Sequence, residues 1–156
     1  MIKNYFLPLL AFFLFVTIPA CISQKQQRKR AEQVRLKEEQ DTQALTLLHA
    51  TCFPCHNPDM GTGKRLAPPM YKVREHYYDE KIKKENFITK ITTFVTNPDK
   101  EKAIMYGAIR NFGLMPKNVF NTEELKIIIG YIYDNDLSSD KWKTRWEKFK
   151  KALLEG

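Results

Sequence analysis

The chain has 156 residues, with 26 Lys+Arg against 18 Asp+Glu, a net charge of +8, and three cysteines; at about 100–200 residues per domain that is one domain with appendages. Six glycines, eight prolines, 43% apolar and 12% aromatic residues exclude a collagen-like, wholly disordered or disulfide-scaffold chain. The basic excess is flanking: residues 24–40 and 137–156 each carry six bases and three acids, whereas 41–136 carries 13 bases and 12 acids. A nucleic-acid-binding domain carries its basic patch on the folded face, so no nucleic-acid partner is expected.

Residues 1–23 hold one charge, Lys3, followed by an uncharged apolar stretch from Tyr5 to Ile22. A basic start, an apolar run and small residues at its end describe an export signal, here 1–20. The end, Ile18-Pro19-Ala20-Cys21, resembles the lipobox of bacterial lipoproteins, and that resemblance makes Cys21 the lipidated first residue of the mature chain. The alternative is an uncleaved membrane anchor, since the stretch just reaches the length of a span; Pro8 and Pro19 suit a processed signal better. Both place the remainder on the periplasmic side of a bacterial membrane. In 24–40 the apolar residues are Ala31, Val34 and Leu36, too few to bury a face, so 21–40 is expected to be a solvated tether.

The domain proper is expected over 41–136. Asp41–Thr51, with Ala44, Leu45, Leu47 and Leu48, has a helical period. It leads into Cys52-Phe53-Pro54-Cys55-His56, and Cys-x-x-Cys-His is the attachment sequence of c-type haem. Two thiols three positions apart can reach both vinyl groups of one porphyrin, and the next residue offers its imidazole to the iron. A thioredoxin-like redox pair requires a strand-helix context that is missing here. A zinc site requires a second Cys or His pair at zinc spacing, and only His49 and His76 remain; both are expected to be surface or core residues, with second iron ligand as the less favoured role.

Further along, Met70, Val73 and Tyr77, then Phe87, Ile88, Ile91, Phe94 and Val95, repeat at helical spacing and predict one or two helices between 71 and 98. One of these, Glu85–Thr96, stops at Asn97-Pro98. A further helix is expected over Asp99–Asn111, with Met105 in its core face. The last domain helix, Thr122–Asp134, opens at Asn121 as a cap with Glu124 as its reciprocal partner and buries Leu125, Ile128, Ile129 and Ile132. No alternating run argues for a strand, so the class is all-α.

A haem held by one histidine needs its other face filled, and a methionine thioether is a common solution. Met60 is too close to His56 to reach the opposite face, and Met105 reads as core. Met115 stands in Gly113-Leu114-Met115-Pro116, where glycine permits close approach and proline stiffens the chain beyond. It is the preferred distal ligand, with Met70, after Pro68-Pro69, as the alternative.

These residues make 41–136 similar to the class I cytochromes c: a helix leading into Cys-x-x-Cys-His, a proline loop at Ala67-Pro68-Pro69, a Met-Pro loop at Met115-Pro116, and a last helix with Tyr131-Ile132. The resemblance implies one covalent haem c, iron ligands His56 and Met115, and a Pro68 carbonyl that orients the His56 imidazole. The family packs a small glycine of its first helix against the last helix; Ala44 stands at that place, and Gly130 is expected to supply the missing room.

Beyond the domain, Trp142, Trp146, Phe149 and Leu153 recur at helical spacing among six basic residues and predict an amphipathic helix over 138–156. It is expected either to lie at an anionic membrane surface or a partner protein, or to pack on its own domain. The function expected of the whole is a membrane-tethered electron carrier between extracytoplasmic redox proteins, not an enzyme. The alternative is a haem-based sensor or peroxidase-like protein with a labile distal ligand.

Overall fold

A computed structural model describes residues 6–155, with side chains from Ser23 onward, Thr62 excepted. The export signal expected over 1–20 lies largely outside that description, and so does the side chain of Cys21. The chain divides into two units, 1–42 and 43–156. Among the described residues all regular structure is helical: α1 (Phe6–Thr51), α2 (Phe53–His56), α3 (Met70–Tyr77), α4 (Lys84–Thr96), α5 (Tyr106–Phe112), α6 (Thr122–Asp134) and α7 (Asp140–Glu155), with one 3₁₀ turn at Thr62–Lys64. No helix among them is long and apolar enough to cross a membrane.

Residues 24–40, expected to be a solvated tether, are exposed throughout and helical. Too few apolar residues to bury a face does not preclude a helix when the rest are Gln, Lys, Arg, Glu and Ala, all strong helix formers. One-turn ion pairs add to it: Arg35 meets Glu32 at 2.8 Å and Lys37 meets Asp41 at 2.9 Å.

The second unit is built around α6. Asn121 caps it, its side-chain oxygen accepting the N–H groups of Glu123 and Glu124 at 2.9 and 3.2 Å. Leu125, Ile128, Ile129 and Ile132 are buried at 1–3% exposure together with Leu45, Leu48 and Phe87, which makes one contiguous core. Gly130 does open room, but toward α4: its missing side chain faces Lys84 Cε at 3.5 Å and Ile88 Cδ1 at 3.9 Å. The Lys84 stem crosses that gap so that its ammonium pairs with Asp134 at the end of α6. Arg74 of α3 reaches the same end and donates to the carbonyls of Ile132 and Tyr133, which lack intrahelical partners.

Two helices differ from their sequence pattern. The period over Asp99–Asn111 predicts one helix, yet α5 begins only at Tyr106. The Asp99 carboxylate accepts the Glu101 N–H at 2.9 Å, a local turn that competes with helix, and Met105 precedes α5 in a non-helical conformation. Met105 is therefore a half-buried loop residue rather than part of a helix core face. The tail helix α7 packs as part of the unit: Trp142 and Trp146 are each 4% exposed, and the Trp142 indole donates to the Tyr131 hydroxyl of α6 at 3.0 Å. Its two tryptophans are thus covered by its own domain, with Phe149 half-buried and Leu153 exposed.

Candidate functional site

α1 ends at Thr51, and α2 follows almost without a break. The Cys52 N–H still donates to Leu48 at 2.9 Å, while the Cys52 carbonyl accepts from Cys55 (3.2 Å) and His56 (2.8 Å). That single turn puts Cys52, Cys55 and His56 at i, i+3 and i+4, on one face. Pro54 stands in the first turn of α2, where a missing N–H costs nothing. Phe53 points the other way, 2% exposed, and anchors the turn in the core with its ring edge-on to Trp146 at 5.1 Å.

Twelve residues on, the chain returns. Pro68 precedes Pro69, whose ring confines it to extended backbone, and Pro69 opens α3. The Pro68 carbonyl accepts the Nδ1–H of His56 at 2.6 Å. This bond fixes the tautomer and leaves Nε2 with its lone pair. Burial pushes the imidazole pKa below its ordinary value, outweighing the Pro68 carbonyl, which favours the protonated form. His56 is therefore a neutral ring at pH 7, the form that ligates a metal. Burial, with Cys55 alongside, pushes the Cys52 thiol up to about 12. Both thiols are free, with no disulfide between them.

Cys52, Cys55, His56 and Pro68 all line one cleft that is partly open to solvent. The other walls come from α3, α4, α6 and the segment 103–120, and they are almost wholly apolar. Three thioethers stand among them: Met70, Met105 and Met115. Met115 is reached through Gly113, whose φ of +81° is a left-handed conformation that ends α5 and turns the chain toward Leu114. Met70 is 5% exposed and belongs to the core under α3, whereas Met115 is half-buried on the loop. Met60 does not line the cleft; its carbonyl holds Arg65 at 2.8 Å.

Neither remaining histidine reaches the cleft. His49 packs its ring against Trp146 at 5.6 Å and Phe149 at 5.9 Å, and His76 donates from Nδ1 to the Lys72 carbonyl at 2.9 Å. Among the described residues no three His, Cys, Asp or Glu side chains are placed to hold a metal ion, so the Cys52–Cys55 pair has no zinc-type partners. An apolar cleft, two thiols on one turn, an oriented imidazole and several thioethers fit a covalently attached iron porphyrin.

Sequence reasoning passes over Met105 as a cleft residue because its neighbours Ala103, Ile104 and Ile109 imitate a helix period. It also misses Asp59, whose Oδ2 accepts from the Trp146 indole (2.9 Å) and from Lys150 (2.8 Å), so that α7 closes on the segment just after His56. A lone aspartate in a turn gives no sign of a partner 87 residues away. Comparison of the chain with protein-family models, curated proteins and solved structures found no match.

Proposed function

We propose that this protein is a monohaem c-type cytochrome of the class I kind, held at the outer face of a bacterial membrane through Cys21, that carries single electrons between redox proteins. The observation that carries the reading is the convergence of Cys52, Cys55 and His56 on one apolar cleft, with His56 Nδ1 already bonded to the Pro68 carbonyl. The bound haem supplies a one-electron couple. The chain's own part is to fix and shield it. Cys52 and Cys55 would hold the ring by thioether links and His56 would present Nε2 to the metal, while the Pro68 carbonyl keeps that nitrogen aimed and raises its basicity. Met115, on the loop after Gly113, would supply a second, thioether ligand. With both ligands supplied by side chains, a bound iron would change charge with little ligand rearrangement, which suits electron transfer rather than substrate turnover. The apolar walls exclude water and favour the less charged, reduced state.

An anchor at the N-terminus confines the carrier near membrane-bound donors and acceptors and so raises its effective concentration there. The test is spectroscopic. The exported full chain, denatured, should retain haem absorbance, and the folded ferric protein should show the weak far-red band of a thioether-ligated iron. Met115→Ala should abolish that band while the haem stays attached. Survival of the band transfers the role to Met70, which Met70→Ala then checks. A wild-type protein with haem but no such band supports the sensor or peroxidase alternative.

A further inference from the structure

A haem brings two carboxylates with it, and the apolar cleft has no place for them. Its lining contains no lysine or arginine, and its one imidazole is committed to Pro68 and the metal. A carboxylate buried among such walls without a partner costs several kcal/mol. The chain must therefore let that edge of the ring out, or meet it with cations.

A second cleft adjoins the first, with about 1130 Å³ of empty space, again partly open. The two share Tyr77, Phe94 and Ile104. α4 lines both. Ile91 and Val95 on one side of this helix line the first cleft; Lys90, Thr93 and Asn97 on the other line the second, and Phe94 lies between. Here the charge is what the first cleft lacks: Lys90 and Lys102, with His76 at the rim. The carboxylate in this second lining, Asp79, is turned to its own loop, where Oδ1 accepts the Lys81 N–H at 2.8 Å. Lys102 is held loosely by Asp99 at 3.5 Å, and neither Lys90 Nζ nor the Tyr77 hydroxyl has a hydrogen-bond or ion-pair partner among the described residues.

We propose that the second cleft receives the carboxylates of the haem, with Lys90 and Lys102 as their cationic partners and the Tyr77 hydroxyl as a donor in the shared wall. The inference rests on the haem reading. Charge-assisted bonds from an ammonium are shorter and stronger than neutral ones, and a half-open site lets the lysine stems adapt at little entropic cost. The two faces of α4 thus divide the labour, one packing the ring and the other holding its acid side chains.

Resonance Raman spectroscopy of the haem-loaded full chain tests this, because the propionate bending bands report hydrogen bonding at those carboxylates. The bands should shift in Lys90→Gln/Lys102→Gln and in Tyr77→Phe, and stay in place in Lys100→Gln, which removes an exposed lysine of the same loop that does not line the cleft. The reduction potential should change more in the double variant than in Lys100→Gln. Because Lys90 and Lys102 are both exposed, their loss leaves the core intact. Bands unchanged in both test variants, or shifted equally in the control, overturn the proposal; a free organic acid in the cleft would give the unchanged result. Haem absorbance that persists alongside unchanged bands removes this inference alone, whereas absence of haem absorbance removes the haem reading with it.

Discussion

The two sides of the main cleft are built differently. On the His56 side, backbone bonds within α2, the 2.6 Å bond to Pro68, the Phe53 anchor and the Asp59 contacts of α7 fix every part of the turn. On the Met115 side, residues 114–120 make no hydrogen bonds among the described residues, and Pro116, Lys117, Asn118 and Val119 are exposed. The one fixed point there is Gly113, whose N–H closes α5 on Ile109 at 2.8 Å. His56 is preorganised by the protein's own bonds, whereas Met115 stands on a loop that has few of them. Such asymmetry locates where the site gives way: strain or partner binding should release the thioether before the imidazole.

On the haem reading, the largest expected effect comes from removing the two thiols of the fixed side. Cys52→Ala/Cys55→Ala should leave no haem absorbance in the denatured chain, measured against wild type at equal protein. Next is the wedge behind the turn. Trp146→Ala removes a ring that packs on Phe53, His49, Trp142 and Phe149. It should cost about 3–5 kcal/mol in denaturant unfolding. Trp146→Phe keeps most of the apolar area and loses the indole bond to half-exposed Asp59, so about 1 kcal/mol is expected. If the two variants are equally destabilised, α7 contributes through that bond rather than through its rings, and the His56 side is less firmly backed than its contacts imply.

Much of this is legible in the sequence because it is encoded locally. Cys-x-x-Cys-His is a single helical turn, Pro68-Pro69 sets its own backbone, Asn121 caps the helix that begins at Thr122, and the period of Leu125, Ile128, Ile129 and Ile132 states which face of α6 is inside. The features the sequence hides are of two kinds. Polar turn chemistry overrides an apolar period at Asp99, so the helix expected to hold Met105 shrinks to Tyr106–Phe112. Contacts between distant segments, such as Asp59 with Trp146 or Gly130 with Lys84, have no local signature, because either partner alone is an ordinary surface residue or an ordinary glycine.

The open side is sharpened by a smaller change. Gly113→Ala places a side chain at φ +81° and ψ 179°, a backbone region that essentially only glycine adopts, so although nothing beyond its chain neighbours lies within 4 Å the conformational cost is about 1–3 kcal/mol. Its more telling effect is on the far-red band, which should weaken or lose pH tolerance while haem attachment is unaffected. Unchanged spectra would mean that the loop finds its ligand geometry without the left-handed turn, and the contrast between the two sides would narrow.

The smallest effect belongs to the entry of α7, which backs the fixed side from behind. The Asp136 carboxylate accepts the hydroxyl of Ser138 at 2.6 Å and its N–H at 2.9 Å, and these bonds hold its pKa below the ordinary value. A carboxyl depressed in the folded state gives its full stabilisation above the unfolded value near 3.8 and loses it as pH falls through the folded one. The group is exposed, so solvent screens most of the gain. Unfolding followed from pH 6 down to acid should therefore show a slightly shallower loss of stability in Asp136→Asn than in wild type, with the slopes diverging below about pH 4. Ser138→Ala should fall between them, since it removes the hydroxyl and keeps the backbone donor. A divergence that sets in well above that range would mean that the bonds from Ser138 do not hold the Asp136 carboxyl down in the folded protein, and that the entry of α7 is less firmly tied than its hydrogen bonds imply.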